Sequence, residues 1–78
     1  MYFVYIIQSL RSDYSYIGIT GDIKDRFRRH NAGYEKSTKA QRPFKLMFLG
    51  IVASVKVARQ WEKLLKSGFV KERIRNII

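Results

Sequence analysis

YFVYIIQSLRSDYSYIGIT, residues 2–20, is the stretch that decides the fold. Residues 2–8 and 14–20 are aromatic and β-branched, with apolar side chains on both faces, which is the composition of strands covered on two sides. The polar run 9–13 between them has the length of a hairpin connection, so the two strands are expected to pair antiparallel. Gly18 interrupts the second strand. A glycine there marks either a β-bulge or tight sheet packing, or a place where another group needs close approach to the backbone.

Beyond this hairpin the periodicity becomes helical. Asp22 is a capping residue, Ile23 and Phe27 share a face four residues apart, and Gly33 supplies a C-terminal stop, so a helix is expected over 22–31. The polar loop 33–42 (GYEKSTKAQR) ends at Pro43, which opens a third strand over 44–52. Ser54 caps a second helix with Ala58, Trp61 and Leu65 on its apolar face, and Ser67-Gly68 ends it. A last helical segment comes after it, with Val70, Ile74, Ile77 and Ile78 on its apolar side. The order β-β-α-β-α-α predicts an α/β chain of the α+β kind, a small three-stranded, mainly antiparallel sheet flanked by helices, with residues 1–78 forming one domain.

Composition narrows the function. The chain has 78 residues, with 16 Lys+Arg against 6 Asp+Glu, a formal charge of +10. Such a length excludes a two-domain enzyme. The absence of cysteine excludes thiol catalysis, a Cys-type zinc site and disulfides. A hydrophobic fraction of 46% is too high for a disordered basic tail. The N-terminal MYFVYIIQSL lacks the features of a signal peptide and is too short to span a bilayer, so a cytoplasmic protein without a membrane role is expected. The basic charge makes a polyanion the default partner, nucleic acid ahead of an anionic membrane surface.

The chemistry-bearing residues are few. A hairpin can bring Tyr5 of the first strand close to Tyr16 of the second, although strand tyrosines also serve as ordinary core packing. Arg26 and His30 lie four apart, on one face of the first helix, beside the strand carrying Tyr16. Each has a plainer reading too: Arg26 in a solvated basic face with Lys24, Arg28 and Arg29, and His30 as a cation at a helix C-terminus. Glu62 lies four residues before Lys66 and three after Arg59, positions suited to a surface ion pair.

Phe3-Val4-Tyr5, Tyr16-Ile17-Gly18, Arg26-Phe27-Arg28-Arg29-His30-Asn31 and Glu62 within Ala58-Arg59-Gln60-Trp61-Glu62-Lys63 together resemble the GIY-YIG nuclease superfamily, in particular its small standalone members. The similarity covers nearly the whole chain. The second half of the name motif is intact, whereas Phe3-Val4-Tyr5 keeps only the tyrosine of Gly-Ile-Tyr. The resemblance implies metal-dependent phosphodiester hydrolysis, with Glu62 as the protein ligand to Mg²⁺ or Mn²⁺. It further implies Tyr5 as general base, His30 drawing the proton from Tyr5, Tyr16 orienting the nucleophile and Arg26 holding the scissile phosphate. Independent chemistry agrees: a free phenol has a pKa near 10 and needs a relay to act as a base at neutral pH, and a guanidinium matches two phosphate oxygens. Gly18 would let a backbone or a phosphate come close beside Tyr16, and Asn76 in the last helix stands where the family often has a supporting polar residue.

The nucleic-acid contacts expected are Arg26 and Arg29 on the first helix and Lys36, Lys39 and Arg42 in the loop, with Ser37 or Thr38 offering hydroxyls; the same loop reads equally as a solvated, mobile segment. The leading expectation is an endonuclease that nicks one strand of DNA, preferring substrate structure over sequence, and DNA is favoured over RNA. Two others stand beside it, a non-catalytic nucleic-acid-binding module and a nuclease domain that depends on a protein partner. Double-strand cleavage would require a homodimer, a second event or a partner.

Overall fold

A computed structural model describes residues 1–66 of the chain. The elements run β1 (Tyr2–Ser9), β2 (Ser15–Thr20), α1 (Ile23–Ala32), a short 3₁₀ turn (Lys39–Gln41), β3 (Phe44–Val52) and α2 (Val55–Leu65). The three strands form one antiparallel sheet in the order β2-β1-β3. The observed order β-β-α-β-α agrees with the expected one as far as it is described. The expected end of the second helix at Ser67-Gly68, and the segment holding Val70, Ile74, Asn76, Ile77 and Ile78, lie outside the described residues.

β1 is the central strand, and its two-sided apolar pattern is a consequence of that position. Successive side chains alternate between faces. Val4 and Ile6 point to one side, where they pack with Ile17 of β2 and with Ala58 and Leu65 of α2. Tyr5 and Ile7 point to the other, where they pack with Phe44 and with Tyr14, Tyr16, Ile23 and Phe27. All four consecutive residues Val4–Ile7 are buried. The helices therefore cover opposite faces, α1 over the tyrosines and α2 over the aliphatic side.

Within α2 the buried residues are Ala58 and Leu65. Trp61, expected on the apolar face, is 45% exposed. At 100° per residue the line from Ala58 to Leu65 is the inner stripe, and Trp61 and Glu62 flank it on either side. The register decides one of the alternatives for Gly18. β1 and β2 pair without irregularity, with Gly18 opposite Tyr5, so Gly18 is not a bulge; the irregular step lies between β1 and β3, at Ile6/Ile7.

Local signals act where they were expected. The Asp22 carboxylate accepts from the backbone N–H of Asp25 at 3.1 Å, and Ser54 Oγ accepts from that of Val57 at 3.3 Å. Gly33, at φ 85°, closes α1 in the left-handed conformation that L side chains avoid. The polar loop, half of whose residues are exposed, is hydrogen-bonded to its surroundings. Ser9 Oγ donates to the Gln41 carbonyl at 2.6 Å, Ser12 Oγ donates to Gln41 Oε1 at 2.8 Å, and Leu10 N–H donates to the Pro43 carbonyl at 2.9 Å. These bonds tie the loop to the β1–β2 connection. Asn31, at the end of α1, accepts from the Phe44 N–H at 2.6 Å and so sets where β3 begins.

Asn31→Ala leaves the Phe44 N–H without this acceptor, and stability should fall by about 1–3 kcal/mol, the cost of an unsatisfied buried donor. The denaturation midpoint should drop with an unchanged slope.

Candidate active site

The site is built on the face of the sheet under α1. Its centre is Tyr5, held in the middle of β1 with 0% of its surface exposed. Across from it on β2 stands Gly18, and a Cβ there would lie 2.5 Å from the Tyr5 hydroxyl oxygen and 2.9 Å from a ring carbon of Tyr16. The glycine is thus required because the Tyr5 ring lies over its Cα. Tyr16, paired with Ile7, shares the same face, with its ring 6.2 Å from that of Tyr5. Helix α1 then brings His30 onto both tyrosines, with ring centroids 5.0 Å from Tyr16 and 5.8 Å from Tyr5.

His30 is itself 1% exposed, and both ring nitrogens are hydrogen-bonded. Nε2 lies 2.8 Å from the Tyr5 hydroxyl and Nδ1 lies 2.8 Å from Thr38 Oγ1. Thr38, fully buried, donates in turn to the Glu35 carbonyl at 3.4 Å. The Glu35 carboxylate faces the other way, toward two arginines, with Oε1 3.0 Å from Arg29 Nε and 3.8 Å from Arg26 Nε.

Burial sets the protonation states. It pushes the Tyr5 phenol well above its ordinary range, Tyr16 adding to the shift and the Arg26 guanidinium opposing it by charge and hydrogen bonding. It pushes His30 below the ordinary imidazole range; the cations Arg26 and Arg29 reinforce this while Glu35 opposes it. At neutral pH the site therefore holds a neutral phenol against a neutral imidazole.

Of the residues singled out in the sequence, Tyr5, Tyr16 and His30 are in mutual contact, and Arg26 borders them. Glu62 is placed differently. It belongs to α2, on the opposite face of the sheet, where its carboxylate is 3.5 Å from Lys66 Nζ and its side chain is 23% exposed. Lys66 and residues Ser15, Tyr16 and Ile17 line a cleft of about 320 Å³, so Glu62 stands one ion pair away from the Tyr16 edge of the sheet.

The loop cations gather elsewhere. Lys36, Lys39 and Arg42 line a cleft of about 600 Å³ together with Arg11, Asn31, Ala40 and Pro43, and among the described residues no acidic side chain contributes to it. Arg29 is turned to Glu35 instead. Sequence reasoning missed Glu35 and Arg11, and saw Thr38 only as a loop hydroxyl. Thr38 lies eight residues from His30 and Arg11 sits in a different loop from the lysines, so no local periodicity marks either.

Known proteins share this arrangement of elements. The family model of the GIY-YIG catalytic domain matches residues 1–75. The solution NMR structure of a UPF0213 protein from Bacillus halodurans is similar over 99% of this chain and 85% of that one, with 30% sequence identity and a TM-score of 0.57. No curated protein matches the sequence.

Two outcomes are expected from the site's physics. Gly18→Ala should destabilise the protein by about 1–3 kcal/mol, as overpacking does, because the buried Tyr5 ring has nowhere to retreat; a thermal melt reads it. The second concerns pH. The folded-state pKa of His30 lies below its unfolded value of 6.5, so the unfolded chain takes up a proton first as pH falls. Its contribution is fully present above that unfolded value and is lost as pH falls through the folded one. Urea denaturation across this range should show stability falling toward acid, with a shallower fall in His30→Gln.

Proposed function

The chain belongs to the GIY-YIG catalytic domain family, a nuclease family acting on nucleic acid, and from that premise we propose that it is a metal-dependent endonuclease nicking one strand of DNA, with preference for substrate structure over sequence. The observation that carries this reading is the buried 2.8 Å bond between the Tyr5 hydroxyl and His30 Nε2. A phenol whose ionisation is disfavoured by burial cannot act as a base by losing its proton to solvent. Bonded to a neutral imidazole, it can pass that proton on. As the attacking water forms its bond to phosphorus, its proton goes to the Tyr5 oxygen and the Tyr5 proton goes to His30 Nε2, while the leaving oxygen departs with the P–O electron pair.

Arg26 has two tasks in this reading. Its side chain, 37% exposed, sits beside the phenol and is held only loosely by Glu35, at 3.8 Å. Moving onto an incoming phosphate, it would uncover the Tyr5 hydroxyl and place its planar fork against two phosphate oxygens. Tyr16, at the same edge, would orient the water.

Glu62 fits a divalent cation in its donor chemistry: a partly exposed carboxylate is a hard oxygen ligand, and Mg²⁺ or Mn²⁺ is commonly held by one or two carboxylates with water and phosphate completing the shell. When bound, such an ion supplies stabilisation of charge on the leaving oxygen. Arg11, Lys36, Lys39 and Arg42, lining one cleft, would hold flanking phosphodiesters, with Arg29 at the margin. One such site cuts one strand, so a double-strand break would need a homodimer, a second event or a protein partner.

One observation favours a second reading, nucleic-acid binding without cleavage. Glu62 is paired with Lys66 across the sheet from Tyr5.

The test sets labelled duplex, flap, fork and single-stranded substrates against the protein with Mg²⁺, Mn²⁺ or EDTA. Metal-dependent nicking is expected, with Tyr5→Phe, Arg26→Ala and Glu62→Ala each slowing it by about 10²-fold or more while leaving most binding in place. A variant that retains cleavage removes its residue from the site. Gel shifts on these substrates with no cutting would favour the binding module.

A further inference from the structure

We propose that Thr38 is a positioning residue that holds His30 in the tautomer protonated on Nδ1, so that Nε2 faces Tyr5 as an acceptor. The rate arm of this inference rests on the nuclease reading; the tautomer itself does not.

The assignment comes from counting protons at both ends of the chain of bonds. At one end the Tyr5 hydroxyl is completely buried, and His30 Nε2 at 2.8 Å is its hydrogen-bond acceptor. Of the polar groups around it, Arg26 has only donors to offer, and among the described residues no hydrogen bond joins the hydroxyl to Tyr16 or Glu35. The Tyr5 proton must therefore point at Nε2, which leaves Nε2 unprotonated and, in a neutral ring, places the proton on Nδ1. At the other end the Thr38 hydroxyl has one proton and an outlet for it in the Glu35 carbonyl, 3.4 Å away, which also accepts from the Thr38 and Lys39 N–H groups. Its oxygen is then left to accept, and His30 Nδ1 lies 2.8 Å away. Thr38 is thus able to take the Nδ1–H that the Tyr5 contact calls for.

The consequence is directional. Tyr5 donates to His30, His30 donates to Thr38 and Thr38 donates to the backbone at Glu35. Among the described residues, no buried side-chain nitrogen or oxygen lacks a partner, so the chain closes without an orphaned group. The opposite tautomer would present Nε2–H to the phenol, two donors facing each other, and could not take a proton from Tyr5. An imidazolium formed during the reaction would keep its Nδ1–H on Thr38, so the same contact serves before and after proton transfer.

Thr38 also has to be where it is. Its backbone N–H donates to the Glu35 carbonyl at 3.1 Å, and Gln41 N–H donates to the Thr38 carbonyl at 3.0 Å, opening the 3₁₀ turn. The residue is pinned on its own chain before its side chain is used.

The chain has a single histidine, so its ring nitrogens give one unambiguous pair of ¹⁵N resonances. In the unmodified protein Nδ1 is expected to resonate as a protonated, pyrrole-type nitrogen and Nε2 as a pyridine-type one. Thr38→Val keeps the shape and removes the hydroxyl; the two nitrogens should move toward a mixed or reversed assignment, and kcat for nicking should fall by about tenfold or more with KM little changed, the size that orienting partners carry at other sites. Thr38→Ser should restore both readouts, and an amide spectrum matching the unmodified protein confirms the fold of each variant. A pyridine-type Nδ1 in the unmodified protein overturns the inference. So does a Thr38→Val protein with unchanged ring nitrogens, or a Thr38→Ser protein as impaired as Thr38→Val. If the unmodified protein cuts nothing while its ring nitrogens behave as expected, the nuclease reading fails and the tautomer assignment stands.

Discussion

The hydrogen bond between Tyr5 and His30 is the constraint on which the rest depends. It links the middle of β1 to the last turn of α1 across 25 residues, and it does so with both partners buried. A buried imidazole costs free energy unless both nitrogens are satisfied. The fold meets this by bringing Tyr5 from below and Thr38 from the side. The hydroxyl end of the tyrosine lies over β2 at Gly18, so the residue beneath it can carry no Cβ. One polar contact thereby determines a glycine on another strand and the path of a loop.

That loop does two kinds of work with adjacent residues. Glu35 uses its carbonyl to receive Thr38 and its carboxylate to hold Arg29 tightly and Arg26 loosely. Lys36 and Lys39, on either side of Thr38, line the outer cleft. In a chain with a formal charge of +10, such order among the cations has to come from placed contacts, since uniform repulsion would spread them. The loop is tied at its far end through Gln41 and Pro43 to the β1–β2 connection, which brings Arg11 into the same cleft. The buried relay and the exposed cations thus share one scaffold.

Legibility in the sequence was mostly local. The hairpin, the Asp22 and Ser54 caps and the Gly33 stop are signals carried within a few residues, and each acts in the structure as read. Tyr5, Tyr16 and His30 could be brought together because a strand period, a helix period and a family resemblance agreed. The rest depended on contacts between distant segments. Nothing near Thr38 announces a partner on α1, and nothing near Arg11 announces lysines from another loop. Gly18 was legible as an exception to strand composition, but only the register, which places it opposite Tyr5, shows that a ring requires it. Trp61 failed for a related reason: helical spacing assigns a face but not its centre, and the small Ala58 rather than the large Trp61 lies nearest the sheet.

The same geometry accounts for the departure in the first half of the name motif. Phe3 and Val4 stand where the family name has glycine and isoleucine. Val4 alternates away from the site, toward Ile17, Ala58 and Leu65 on the α2 side, where any apolar residue of suitable volume is consistent with a packed core. Phe3 lies at the end of β1, paired with Thr20 and Ile51, one full alternation from Tyr5. Neither shares the contact that couples Tyr5 to Gly18. The residues that cannot vary independently are the tyrosine and the glycine across from it, because the ring of one occupies the space a side chain of the other would need. This chain holds both members of that pair, while Phe3 and Val4, which differ from the name motif, lie outside the contact.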